Sequence, residues 1–157
     1  MTSSIPAPLR IGVKLVVTFF GAGFLPFVPG TWGSLAGIIL FLVLPAAGAW
    51  RSGVCAGMIL TGFILCGKAE DVFARKDPKY VVIDEVAGMM ICLLWLPFYN
   101  TKVLFLSFLL FRALDTIKPF PARWIQDRHG SSGIMGDDIA VAIYTNLILQ
   151  VVLRFVS

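Results

Sequence analysis

Residues 15–50 read LVVTFFGAGFLPFVPGTWGSLAGIILFLVLPAAGAW, and no charge interrupts them between Lys14 and Arg51. A helix that crosses the bilayer core needs about 20 mostly apolar residues. Pro26, Pro29 and Gly30 break this run, since proline ends or kinks a helix. The segment therefore predicts a short amphipathic or re-entrant element at 10–25, a loop at 26–32 and a spanning helix at 33–50. Working outward by the same criterion, further helices are predicted at 52–67, 86–101, 102–114 and 139–155. Several are short for a full span, so they need snorkelling ends or sit only partly in lipid. The predicted fold is all-α: an integral membrane helical bundle with an amphipathic N-terminal segment, forming a single domain over 1–157.

Composition agrees with this. Of 157 residues, 58% are hydrophobic and 14% charged, and the mean hydropathy is +0.88. A disordered chain needs the opposite balance, and an ordinary soluble domain carries about 25% charged residues. The net charge of +4 is too modest to argue for nucleic acid as a partner. Small groups of basic residues between apolar runs suit an anionic membrane surface instead. Cys55, Cys66 and Cys92 lie in apolar stretches without a C-x-x-C pair, which reads as buried thiols and not a disulfide framework or zinc site. Arg10 and Lys14 before an apolar run mimic a signal peptide, but the apolar character continues far beyond one segment.

All nine acidic residues fall in two segments. Residues 68–85 contain Glu70, Asp71, Asp77, Asp84 and Glu85, and residues 112–138 contain Asp115, Asp127, Asp137 and Asp138. Each segment also carries four basic residues, whereas Arg51 and Lys102 are the only charges between helices on the opposite side. Alternation of the predicted helices puts both acidic segments and the 26–34 loop on one side. The positive-inside rule makes that side cytoplasmic. Chemistry gathered at one membrane face suits an enzyme better than a channel.

Four constellations carry that chemistry. In Val81-Val82-Ile83-Asp84-Glu85-Val86-Ala87-Gly88, adjacent carboxylates stand in apolar sequence, where charge is costly unless paired or metal-bound. The bland alternative is that Asp84 caps a helix. In Gly133-Ile134-Met135-Gly136-Asp137-Asp138-Ile139-Ala140, a second acid pair opens an apolar helix, either as a functional pair or as a cap with a favourable dipole contact. Arg112, Asp115 and Lys118 are spaced by three and share a helix face. They form either a phosphate and metal site or an intrahelical ion-pair stripe. Pro29-Gly30-Thr31-Trp32-Gly33-Ser34 offers glycines and hydroxyls at a helix start, which is an anion site or a simple cap with Trp32 in the interfacial belt.

Hard oxygen ligands beside basic residues suit Mg²⁺. The single histidine, His129, removes any paired-histidine mechanism. No cysteine has an arginine six positions on, and neither D-x-D-x-[TV] nor D-G-x-x-A-R occurs. These absences favour metal-assisted displacement by water, with carboxylates as ligands and base, over the alternative of a covalent aspartyl phosphate.

Taken together, the Pro29–Ser34 block, Asp77-Pro78 with Val81–Glu85, Phe111-Arg112 with Asp115, Lys118-Pro119 and Pro121, and Gly133–Ile139 resemble the phosphatidylglycerophosphatase A family. The family tends to a small residue three positions after the second aspartate of the last block, where this chain has Val141 between Ala140 and Ala142. The resemblance runs over about residues 19–150 in order. It implies a helical, Mg²⁺-dependent lipid phosphatase of the bacterial inner membrane. The reaction it implies removes the terminal phosphate of phosphatidylglycerophosphate to give phosphatidylglycerol.

On that footing, Asp84, Glu85, Asp137 and Asp138 are expected to hold one or two Mg²⁺. With Asp115, as ligand or base, they form the expected catalytic set. Arg112 and Lys118 are expected to neutralise the phosphate, Thr31 and Ser34 to donate to a phosphoryl oxygen, and Arg123 and Arg128 to hold the phosphodiester or anionic lipid. The rival readings are a divalent-cation transporter, a phosphatase for a different lipid or a soluble phosphoester, and a scaffold protein. Small residues Gly53, Ala56, Gly57 and Gly62 serve either a homodimer or packing within one chain.

Overall fold

Helices account for every regular element among the described residues, 6–75 and 78–156, of the computed structural model. Helix α1 (Ala7–Val17) leads through a 3-10 turn at Ala22–Phe24 to α2 (Pro29–Val43) and α3 (Gly48–Phe73). Then follow α4 (Ile83–Leu93), α5 (Thr101–Ile117), the short α6 (Ala122–Gln126) and α7 (Ser131–Val156). The all-α reading holds, but the boundaries move for identifiable reasons.

Pro29 opens α2, where its missing N–H is no loss, so the predicted 26–32 loop is partly helix. The extended Leu44 before Pro45 ends α2, well short of 50. Arg51 consequently lies inside α3, which also continues past 67 and carries Lys68, Glu70 and Asp71 in its last turns. Helix α4 stops early because Leu94 is extended, Trp95 is left-handed at φ 55°, and Pro97 follows. Helix α7 starts well before the predicted 139, because glycines in 131–136 conceal its apolar period.

The central element is α4, with Val86, Ala87, Met89, Met90, Cys92 and Leu93 fully buried. Glycines let its neighbours approach. A Cβ at Gly37 of α2 would stand 2.8 Å from both Met89 Cβ and Val86 O. One at Gly62 of α3 would stand 2.3 Å from Met135 Sδ, so this small residue serves α3–α7 packing, whereas Gly53 and Gly57 face open space. All three cysteines are buried and unbridged.

Phe111 of α5 is fully buried and lies against Gly88, whose added Cβ would meet its ring at 2.8 Å. Phe111→Ala leaves a ring-sized cavity and is expected to cost about 3 kcal/mol, read as a lowered Tm in detergent.

Two helices, α3 and α7, are long and apolar enough to cross a membrane. Only 22% and 33% of their most apolar windows are buried, unlike the core helix of a soluble domain. Leu60, Phe63 and Ile64 of α3 and Ile143, Leu147 and Val151 of α7 all point outward. Apolar side chains on an outward helix face suit lipid. Both helices are compatible with membrane insertion.

Candidate active site

The amino ends of α2 and α4, the segment after α3, the carboxyl end of α5 and the early turns of α7 line one cavity of about 400 Å³. Both predicted acid pairs therefore reach the same end of the bundle. Position of the first pair is fixed by α4, whose N-cap Val82 donates its N–H to Val17 O at 2.9 Å, tying the start of α4 to the end of α1. Asp84 and Glu85 stand in the first turn of α4, where the helix dipole favours negative charge. Asp84 is not the cap. Its Oδ1 accepts from the Glu85 N–H at 3.1 Å. Asp137 and Asp138 are not caps either, since they lie within α7 and not at its start.

Neighbouring residues on a helix point about 100° apart, and this divides the second pair. Asp138 turns towards α4, and Asp84, Glu85 and Asp138 each offer a ligand oxygen within 4.8 Å of the others. Asp137 turns towards α5 and takes a hydrogen bond from Lys118. Glu85 Oε2, Asp137 Oδ1 and Asp138 Oδ2 are buried without a hydrogen-bond partner among the described residues. Buried carboxylate oxygens left this way are costly. Burial and the Glu85 and Asp138 charges hold the Asp84 carboxyl well above the usual carboxylate range. Burial also raises Glu85, against the Asp84 hydrogen bond and the Arg112 charge, which pull it down. Three crowded hard-oxygen donors, held raised by burial despite the nearby Arg112 charge, fit a divalent cation such as Mg²⁺.

Asp115 and Lys118 of the α5 stripe also line the cavity, with Arg112 paired to Asp115. Arg112 Nη1 lies 2.9 Å from Asp115 Oδ2, and Lys118 Nζ lies 3.6 Å from Asp115 Oδ1. Lys118 closes α5 in the left-handed region at φ 48°, which lets it bridge Asp115 and Asp137. Burial pulls Lys118 down, but its hydrogen bond to Asp137 and the charges of Asp137, Asp138 and Asp115 hold it above its ordinary value. The stripe is thus both an ion-pair chain and a cavity wall.

Other predicted residues fall elsewhere. Pro29 and Gly30 line the cavity, but Thr31 and Ser34 do not. Ser34 is fully buried and donates to Gly30 O at 2.9 Å within its own helix. Glycine in this block serves close approach between helices. A Cβ at Gly30 would stand 2.3 Å from Glu85 Oε1 and 2.9 Å from Arg112 Nη1, and one at Gly33 would stand 2.9 Å from Val82 Cβ. Arg123 is exposed on α6, and Arg128 stacks over Trp124 with its guanidinium 4.2 Å from the ring centroid; neither lines the cavity. Asp77 lies outside the described residues. Arg75 and Lys79 line the cavity mouth and were not singled out from sequence. The only hint of them was their place in the charged segment 68–85.

The family model described as phosphatidylglycerophosphatase A matches residues 15–153, which includes every cavity residue named above. This chain belongs to the phosphatidylglycerophosphatase A family. As a member of it, the protein is a phosphoric monoester hydrolase. It is 35% identical over 144 residues to phosphatidylglycerophosphatase A of Haemophilus influenzae, covering 87% of this chain and 86% of that protein. It is 38% identical over 141 residues to the phosphatidylglycerophosphatase A of Escherichia coli, covering 86% of this chain and 80% of that protein. A Bacteroides thetaiotaomicron protein named provisionally as a phosphatidylinositol-3-phosphatase is 33% identical over 145 residues, covering 87% of this chain and 91% of that protein. No solved structure matches the chain at a significant level.

Proposed function

We propose that this phosphatidylglycerophosphatase A family member is a Mg²⁺-dependent lipid phosphatase. It cleaves the terminal phosphomonoester of phosphatidylglycerophosphate and releases phosphatidylglycerol, a step of glycerophospholipid biosynthesis, at the cytoplasmic face of the bacterial inner membrane. The observation that carries this reading is the convergence of Asp84, Glu85 and Asp138. Their cavity lies at one end of a bundle with lipid-suited outer faces. A cation path would carry acids through the length of the spanning helices, whereas α3 and α7 hold theirs only in the last turns of one and the early turns of the other.

Asp84, Glu85 and Asp138 would hold the metal. When bound, it supplies positive charge against the phosphoryl and leaving oxygens. Lys118, kept protonated by Asp115 and Asp137, opposes the negative charge of a loose transition state, with Arg112 behind it. Water attacks phosphorus as the bond from phosphorus to the polyol oxygen breaks; Asp137 Oδ1, which has no partner among the described residues, accepts the water's proton, and the departing oxygen takes a proton from solvent to become the free hydroxyl of phosphatidylglycerol. The amino end of α2 at Pro29–Gly30 faces the phosphate with its positive dipole. The acyl chains stay in the bilayer throughout.

The test is phosphate release from detergent-solubilised phosphatidylglycerophosphate, with Mg²⁺ and with EDTA. Release that requires Mg²⁺ and yields phosphatidylglycerol is expected. Absence of release by well-folded protein overturns the reading. The Bacteroides relative favours one second reading, a phosphomonoester on a different lipid headgroup, and a panel of lipid phosphates separates the two.

A pH dependence follows from the raised Asp84 and Glu85 carboxyls. The folded state keeps protons there that the unfolded chain has released. In EDTA, stability is therefore full at acid pH and falls as pH rises above the ordinary carboxylate range. A Tm lower at pH 8 than at pH 5 in EDTA, with the gap narrowed by Mg²⁺, is expected by differential scanning fluorimetry.

A further inference from the structure

The cations at the cavity divide into two groups. Lys118 and Arg112 are committed to Asp115 and Asp137. Arg75 and Lys79 line the same cavity from the connection between α3 and α4. Both are exposed, and neither forms an ion pair with a described residue. Lys79 is held at the mouth by its contact with the Tyr80 ring, 5.3 Å from Nζ to centroid, and Tyr80 is itself packed against Phe24 and Phe73. Arg75 and Lys79 thus give an acid-lined cavity an exposed cationic edge. Such an edge has unpaired charge to offer a second ligand group, whereas the inner pair is shared with acidic partners and serves the phosphomonoester.

We propose that Arg75 and Lys79 form a second anion subsite that binds the phosphodiester of the substrate while the acid cluster addresses its phosphomonoester. This deepens the lipid phosphatase reading and rests on it. A lipid that joins its diacylglycerol to a polyol through a phosphodiester, and ends in a phosphomonoester, fills both subsites. A lipid with its single phosphate directly on diacylglycerol fills only the inner one. The subsite thereby sets preference for two-phosphate headgroups, and charge-assisted hydrogen bonds from arginine and lysine supply the discrimination.

The test compares phosphatidylglycerophosphate with phosphatidic acid, each as a trace component of uncharged maltoside micelles, so that surface charge stays constant. Wild-type protein is compared with Arg75→Ala/Lys79→Ala and with the charge-keeping Arg75→Lys/Lys79→Arg. The double alanine variant is expected to lose about 30-fold in kcat/KM on the two-phosphate lipid and less than about threefold on phosphatidic acid. The loss should reside mainly in KM, and the charge-keeping variant should recover most of it. Equal losses on both lipids, or no loss on either, overturn the subsite. If wild-type protein hydrolyses neither lipid, the phosphatase reading itself falls and takes the subsite with it.

Discussion

Asp138→Asn lowers kcat for lipid phosphomonoester hydrolysis by about three orders of magnitude while the protein stays folded. The side chain is 4% exposed and its Oδ2 has no partner among the described residues. An amide keeps the shape of the group and removes the charge. In the metal-free protein that charge is unfavourable, because it crowds Asp84 and Glu85 within 4.8 Å. The variant should therefore melt higher than wild type in EDTA and lose the stabilisation that Mg²⁺ gives. Asp137→Asn makes the contrast. It removes the proton acceptor and weakens the pair with Lys118 but leaves the three-acid cluster whole, so a loss of about 100-fold is expected, with Mg²⁺ stabilisation retained. Parallel kinetics and melting curves check both. Equal behaviour of the two variants would sink the division of labour drawn between neighbouring aspartates.

Gly30→Ala is expected to reduce activity about 100-fold at a stability cost under about 1 kcal/mol. The added methyl would fall 2.3 Å from Glu85 Oε1 and 2.9 Å from Arg112 Nη1. Both atoms are the far ends of flexible side chains, so they move and the fold tolerates the change. What they lose is the geometry of the site. Gly37→Ala, two turns further along the same helix, behaves in the opposite way. Its methyl meets Met89 Cβ and Val86 O, which are rooted in α4 and cannot swing aside. That variant is expected to cost about 2–3 kcal/mol, with the folded fraction still active. Circular dichroism melts beside specific activity separate the two outcomes. If Gly30→Ala retains full activity, α2 does not set the position of Glu85.

The helical membrane bundle was legible in the sequence because uncharged runs of the right length leave few other folds. The acid pairs were legible for a related reason. Charge placed in apolar sequence demands a partner, so Asp84-Glu85 and Asp137-Asp138 announced themselves. The reading of Pro29–Ser34 was only half available. Glycine signals close approach, but the neighbour approached is α4 and the Glu85 side chain, and Ser34 spends its hydroxyl on its own helix. The sequence reading gives Arg123 and Arg128 the phosphodiester and assigns Arg75 and Lys79 no role, although all four are basic residues near helix connections. The fold carries the latter two to the cavity and leaves the former two outside it.

Sequence by itself thus determined that the chain forms apolar helices, and that its acids and most of its bases gather at one end of them. Only the tertiary structure decided that Asp138 joins Asp84 and Glu85 while Asp137 joins Lys118. That choice depends on the rotational phase of α7, set where the helix begins and how it packs on α4. Adjacent positions in a sequence carry no record of which way each will face.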